Sequence, residues 1–505
     1  MLSNLIKIFI FTFAYFFVQT CFGQITFSNY YHAGLNNKSY ANQIEVFDED
    51  TTYLMYAPWQ DQTSQQGLRL LKLNKNGNVA FDNKFMFGNN NFATYLNNRL
   101  AVKTSSYSSL AIGDTYYGND RGLIFCKVNN KLADTIHTIK YCDYTYSYGL
   151  GNRFLKGGNQ VWYIGNKFKE NDNSFIGRPT IFKVDTNGNY LGQLEIVSLM
   201  NFGPTASCYD SILKQIYIGG SDYTIPQNPQ NRIVCIDTLG NVIWNKLIVD
   251  IIGFKQIIKK NNYLVISGFK FTETILGIHQ YKIVLLKLDC TNNGNIIWQK
   301  TYASQSIVAG LSAIVINNDE SIVASGTFKY PSVMIGAINH DGVILKTNSN
   351  GDSLWMKTYG AYSLSTLETF YDIKKVPDGG YIMCGSPDYL NDCQSWVVKT
   401  DSLGIAPGIS TNLKQNSTIS SEGLMLSPNP ANNILQLTFN STFLWGANYQ
   451  VKIFNSLGQL VLEEEIILDS EKAKINTESL MEGIYFLHFD KLYNQSMVKK
   501  FIIAR

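Results

Sequence analysis

The 505-residue chain carries 42 Lys and Arg against 39 Asp and Glu, a formal net charge of +3, and charged residues make up only 16% of it. That balance argues against a nucleic-acid partner, since adjacent lysines occur only as isolated pairs such as Lys259-Lys260 and Lys374-Lys375. Hydrophobic residues at 45% and aromatics at 13% exclude a disordered chain and suit packed strands.

Residues 1–23 read as a secretory signal peptide. Lys7 supplies the positive start, Ile8 to Val18 the apolar core, and Cys21-Phe22-Gly23 the small residues before a cut between Gly23 and Gln24. The apolar run is shorter than the ~20 residues of a spanning helix, and no later stretch is long enough, so no transmembrane segment is expected. The residues before Cys21 do not suit lipidation. Seven cysteines follow, an odd number, with no zinc-type Cys-x-x-Cys spacing. They read mostly as small buried hydrophobes, although Cys384 and Cys393 flank a hairpin that a disulfide would bridge.

From residue 24 onward one unit recurs. Seven times the chain writes an apolar-Lys-apolar-(Asp/Asn) block, ending at Asn74, Asn129, Asp185, Asp237, Asp289, Asn348 and Asp401, with spacings of 55, 56, 52, 52, 59 and 53 residues. Lysine holds its place in six copies, and Cys235 stands in the seventh. The alternation places the two apolar side chains on one strand face and Lys on the other. The Asp or Asn opens a turn that Gly closes three residues on, at Gly77, Gly188, Gly240, Gly351 and Gly404. A strand such as Asn295-Ile-Ile-Trp298-Gln-Lys300 follows the turn, and two β-rich runs precede it. Four strands in ~50 residues, repeated, predict a β-propeller.

The seventh copy stops at Gly404 without its last strand. The missing strand stands at the other end, where Gln24-Ile-Thr-Phe27-Ser-Asn-Tyr-Tyr31 superimposes on Asn295-Ile-Ile-Trp298-Gln-Lys-Thr-Tyr302. The expected fold is therefore all-β: a seven-bladed propeller over 24–404, closed by its N-terminal strand, then a linker over 405–425 rich in Ser, Thr, Asn and Gly.

The last 80 residues carry no copy of the repeat. They read Leu426-Ser-Pro428-Asn429-Pro430-Ala, Val451-Lys-Ile-Phe-Asn455-Ser-Leu-Gly458-Gln459-Leu-Val461, Ile475 to Leu480 running on to Gly483-Ile-Tyr485-Phe-Leu487, and Lys499-Lys500-Phe-Ile-Ile. These four blocks resemble the type A C-terminal sorting domain of the type IX (Por) secretion system, over 426–505. The resemblance implies a small immunoglobulin-like β-sandwich and a Bacteroidetes-type origin. It also implies export through the periplasm and outer membrane by that machinery. A sortase-like protease would then remove the tail, leaving the protein on surface lipopolysaccharide or released.

Little in the chain spells out chemistry. Asp185-Thr-Asn187-Gly188-Asn189 echoes a calcium loop, but Gly comes at position four and no Glu at twelve, so it reads as a turn and no metal is expected. The Asp-x-x-Gly…Trp spacing resembles the repeats of quinoprotein propellers, where those positions brace neighbouring blades, and it implies no cofactor. Histidines and acids show no catalytic grouping, and no Gly-x-Ser-x-Gly or phosphate loop is present. Tyr144, Tyr146 and Tyr148 alternate onto one strand face and offer a platform for sugar rings, or packing between blades. Asp-(Ser/Thr)-apolar triplets at Asp134, Asp210, Asp237, Asp352 and Asp401 resemble the O-glycosylation sequon of Bacteroidetes. The expected role is a non-catalytic surface or released module that binds a glycan or a protein. The competing one is a polysaccharide-degrading glycosidase or lyase with its site at the propeller mouth.

Overall fold

Each copy of the repeat folds as a four-stranded antiparallel meander. The structure is a computed structural model. It describes residues 24–504 apart from 35–36, 48–51, 64, 88–99, 118–119, 143–145, 170–177, 225–229, 250, 252, 276–277, 303–307, 330–339, 361–366, 389–393, 408, 411–423, 440–447, 456–458, 468–471 and 492–494. Among these residues the meanders occupy 43–85, 101–142, 146–195, 202–247, 253–302 and 308–359. The strands of 367–400 form one more, completed by Phe27–Tyr31. They are called units one to seven below. The chain divides into two compact bodies, Met1–Asn412 and Leu413–Arg505.

Closure by the N-terminal strand is direct. Phe27–Tyr31 lies antiparallel to Ser395–Thr400, with Phe27 opposite Lys399 and Tyr31 opposite Ser395.

Both faces of the middle strands are buried, so these read as continuous apolar runs rather than alternating ones, while the outer strand of a unit such as Val79–Phe85 is largely exposed. In Tyr53-Leu-Met-Tyr-Ala57 every residue is shut off from solvent. Odd positions pack with Ile382, Cys384 and Val397 of unit seven. Even positions pack with Ala111, Ile124 and Cys126 of unit two. The same division continues around the body. Separate apolar clusters join units two and three, three and four, four and five, five and six, and six and seven. The cluster between seven and one returns the series to its start. A series of sheets in which the last packs on the first is a propeller ring, not an open solenoid.

The free thiols Cys126, Cys235, Cys290 and Cys384 lie in these inter-unit clusters, as small hydrophobes do. Cys393 lies outside the described residues. After Gly404 the chain stays on the ring for a few residues: Ala406 is buried, and Ile409–Ser410 pairs with Thr358 and Tyr359 of unit six.

The second body is a sandwich of two antiparallel sheets, one of three strands (Leu424–Ser427, Ile434–Phe439, Lys472–Asn476) and one of four. The four are Asn448–Asn455, Leu460–Ile467, Gly483–Lys491 and Gln495–Ile503. Leu435, Leu437, Val451, Ile453, Ile475, Leu487 and Phe501 form its fully buried core.

Candidate functional site

In each meander the hairpins between first and second and between third and fourth strands lie at one rim. The opposite strand ends, where second strands pass to third and one unit to the next, lie at the other. The repeat's Asp/Asn turns belong to the first rim, and their chemistry is spent on bracing.

The turn carboxylates and amides face their own backbone. Asp185 Oδ1 accepts from Asn187 N at 2.8 Å and Asn189 N at 2.9 Å, and Asp237 repeats this with Leu239 N and Asn241 N. Burial would raise the Asp185 carboxyl, but these hydrogen bonds outweigh it and hold the group below its ordinary value. At Asp237 the hydrogen bond from Asn241 leads, again lowering it. These bonds make the segment at Asp185 a closed turn.

The outer strand of one unit seals against the turn of the next. A Cβ on Gly351 would lie 3.0 Å from the Trp298 ring, and one on Gly404 would lie 2.7 Å from Trp355. Trp244 covers Gly294 and Phe27 covers Gly77 in the same manner. Positive φ at these glycines, +77° at Gly351 and +73° at Gly404, adds a second reason for the residue. Four residues beyond the aromatic, a tyrosine reaches the same glycine's carbonyl. Tyr31 donates to Gly77 O at 2.6 Å, Tyr302 to Gly351 O at 2.6 Å and Tyr359 to Gly404 O at 2.8 Å. Tyr141 does the same for Gly188 at 2.9 Å.

The repeat lysine completes the brace. Lys127 Nζ donates to Thr186 O at 2.6 Å and Asn187 Oδ1 at 2.9 Å in the next turn, Lys72 to Lys131 O at 3.1 Å, and Lys287 to Ser349 O at 3.3 Å. Burial lowers the ammonium affinity for its proton at Lys127 and Lys287. Lys399, in the closing unit, turns instead to Ile25 O and Asp378.

Inner strands carry a separate set of latches. Gln43 Oε1 accepts from Leu100 N and Ala101 N at 2.8 Å, and Gln256 Oε1 from Ile314 N at 2.6 Å. Asp372 Oδ2 accepts from Ile44 N at 3.3 Å across the closure.

Of the residues the sequence nominated for ligand binding, Tyr144 lies outside the described residues. Tyr146 and Tyr148 lie in the strand Tyr146–Gly157, opposite Lys169 and Lys167, and their side chains are likewise outside the described set. Gly23 is outside it too. Gln24 is tied at both ends of its amide: Nε2 donates to Asp378 O, and Oε1 accepts from Ser402 N at 2.7 Å. In the Asp-(Ser/Thr)-apolar triplets the third residues Ile136, Ile212, Leu239, Leu354 and Leu403 are each more than half exposed. Turn capping explains Asp134, Asp210, Asp237 and Asp401, Asp352 pairs with Lys300 and the Asn348 amide, and nothing in the structure explains the exposed aliphatics. No group of three or more metal-ligating side chains occurs among the described residues.

Sequence reasoning passed over Arg69, an arginine with 1% exposure in the strand Gln66–Leu73. Its guanidinium holds Asp82 at 2.7 and 2.9 Å and caps Tyr31 O at 3.0 Å and His32 O at 2.8 Å, where the closing strand ends. The available signal was a lone charge inside Leu68-Arg69-Leu70-Leu71.

In the second body, the blocks at the two ends of the sequence meet. Asn429, between Pro428 and Pro430, accepts from Ile502 N at 3.0 Å through Oδ1, while Ala431 N donates to Ile502 O at 2.7 Å. Lys499 and Lys500 lie on the same last strand, opposite Leu487 and Phe486. Gln459 closes the turn from Asn455 with bonds of 2.9 to 3.0 Å, and Gly458 lies outside the described residues. Gly483 opens the strand carrying Tyr485, whose ring stacks on Phe501 at 5.6 Å and whose hydroxyl donates to Met481 O at 2.8 Å. An open groove of about 420 Å³ between strand edges is lined by Leu462, Glu464, Asn476, Glu478 and Ser479.

Residues 426–504 match the family described as the secretion system C-terminal sorting domain. No curated protein matches the chain. Among solved structures, Trypanosoma rangeli sialidase is similar at 9% identity, covering 85% of this chain and 86% of its own, with a TM-score of 0.40. The Neurospora crassa Pan2 WD40 domain is similar at 12% identity, covering 58% and 86%, with a TM-score of 0.36. The WD40 domain of SCAP from fission yeast, at 8% identity, covers 75% and 99%, with a TM-score of 0.35.

Proposed function

We propose that this chain, exported by the type IX system through its sorting tail, works at the cell surface or in the medium as a seven-bladed binding module. It takes a glycan or a protein on the loops of one rim and performs no chemistry on it. The sorting-domain match over 426–504 supports the route. The division of labour between the rims supports the binding role. One rim is filled by aromatic, tyrosine and lysine braces, so the opposite rim, with the second-to-third-strand and inter-unit links, is the one left to face a ligand.

The test is affinity gel electrophoresis of the full chain across a polysaccharide panel, with reducing ends assayed in the same mixtures. Retardation without new reducing ends supports the module and identifies its ligand class. New reducing ends sink the non-catalytic reading in favour of a glycosidase or lyase. No effect on any polysaccharide directs the search to a protein ligand.

A further inference from the structure

At the loop-bearing rim, where unit six meets unit seven, two acids are buried side by side. Asp341 is the second residue of the third strand of unit six, His340–Thr347, and is 7% exposed; Glu368 stands near the start of the first strand of unit seven and is fully buried. Both carboxyls lean on Gly360. A Cβ there would collide with Glu368 Oε2 and lie 2.8 Å from Asp341 Oδ1, so the two oxygens are within about 5 Å of each other. Any side chain at 360 would fill the space they share.

Across the ladders, Asp341 faces Phe328 and Glu368 faces Pro387. Trp396 and Phe370, stacked at 4.4 Å, pack against Gly342 beside them. From the closing strand Tyr30 Oη donates to Glu368 Oε1 at 3.3 Å. His340 precedes Asp341 and sits opposite Lys329, and Asp388 sits opposite Leu367. The neighbouring segments 330–339 and 361–366 contain no Asp, Glu, His, Lys or Arg, and Tyr330 and Tyr362 are their titratable residues.

We propose that Asp341 and Glu368 form a carboxyl–carboxylate couple that holds one proton between them and makes the junction of units six and seven sensitive to pH. Two carboxylates this close in a dry site do not both ionise cheaply. Burial alone pushes the Asp341 carboxyl up to about 7. Because the folded group binds its proton more tightly than the unfolded one, stability falls as pH rises from about 4 to about 7, and the loss is complete above that. The junction is therefore firm in mild acid and loosened in mild alkali, at the rim where the ligand loops attach. Glu368 is too enclosed to touch a substrate, so the couple is a device of the scaffold and not a catalytic pair.

The experiment compares thermal unfolding midpoints of the full chain and its Asp341→Asn variant between pH 5 and pH 8.5. The proposal expects the variant to unfold about 2 °C or more above the wild type at pH 8 and the gap to close at pH 5. A gap that does not change with pH overturns it. So does a midpoint raised by millimolar calcium in the wild type but not in the variant, which would make the pair a cation site. Glu368→Gln serves as the second variant if Asp341→Asn does not fold, with the same expected trend. Infrared spectroscopy gives an independent readout: a protonated-carboxyl band at pH 7 that either variant removes supports the couple, and its absence from the wild type overturns it.

Discussion

Trp396 donates its indole N–H to Ser28 Oγ at 3.2 Å, joining residues 368 positions apart. The same indole stacks on Tyr30 at 5.9 Å and on Phe370 at 4.4 Å, so one side chain holds the closing strand against the inner wall of unit seven. Ring closure thus depends on contacts of the longest sequence separation in the body, which carry the largest entropic cost.

Arg69 secures the far end of that strand, and its loss should open the ring. Arg69→Ala removes the guanidinium donors to Tyr31 O and His32 O and leaves Asp82 with the more distant Lys84 at 3.4 Å. We expect a cost of about 3 kcal/mol, at the low end for a broken buried pair because Asp82 keeps some contact with water. A lower urea midpoint checks it. Burial would raise the Asp82 carboxyl, but the hydrogen bond and charge of Arg69 outweigh this and hold it below its ordinary value. That stabilisation is present above the unfolded carboxylate value and is lost as pH falls through the lower folded one. The wild type should therefore lose more stability on acidification than Arg69→Ala does.

The aromatic-on-glycine brace predicts coupling between two units. Gly351→Ala forces a Cβ into the Trp298 ring at positive φ and should cost about 2 kcal/mol. Trp298→Ala, at a partly buried site, should cost a similar amount. Because the second change empties the space the first one overfills, the double variant should lose clearly less than the sum. Additive losses in a double-mutant cycle would show that the two residues do not brace one another.

The architecture was legible because repetition multiplies a weak signal. A lone Asp-x-x-Gly turn says little, but seven apolar-Lys-apolar-(Asp/Asn) blocks in register, five of them with the Gly, fix the unit, and Gln24–Tyr31 matched onto Asn295–Tyr302 fixes how the ends meet. What the repeat did for neighbours was not legible. The alternation placed Lys127 on the face opposite its apolar neighbours, yet its partners Thr186 and Asn187 belong to the next unit and are specified by blade packing. Arg69 and the Asp341–Glu368 pair occur once each, so periodicity said nothing of them. The tyrosines at 144, 146 and 148 rest on strand alternation alone, which does not distinguish a platform from packing.

The lysine position offers a graded test. Lys287 lies over the Tyr263 ring at 3.9 Å and donates to Ser349 O. Lys287→Met keeps the aliphatic stem and removes the donor and the cation, so about 1 kcal/mol should be lost. Lys287→Ala removes the stem too and should lose about twice that. Equal losses in the two variants, measured by thermal unfolding, would show that the ammonium alone carries the brace.

The sorting tail is a separate body, so damage to it should affect delivery without affecting the ring. Phe501 is fully buried against Tyr485, and Phe501→Asp places a charge in that core, costing about 4 kcal/mol or more in a sandwich of this size. Asn429→Ala removes the acceptor for Ile502 N and the 3.5 Å donor to Lys500 O, at about 1 kcal/mol. In a host that carries the type IX machinery, Phe501→Asp should leave the chain in the periplasm while the wild type reaches the surface or the medium. Asn429→Ala should reduce export partially. Immunoblots of fractionated cells measure both, and the ring's own unfolding transition should be unchanged in each variant. Normal export of Phe501→Asp would mean that the folded sandwich is not what the machinery reads, leaving the sequence at Lys499 and Lys500 as the signal.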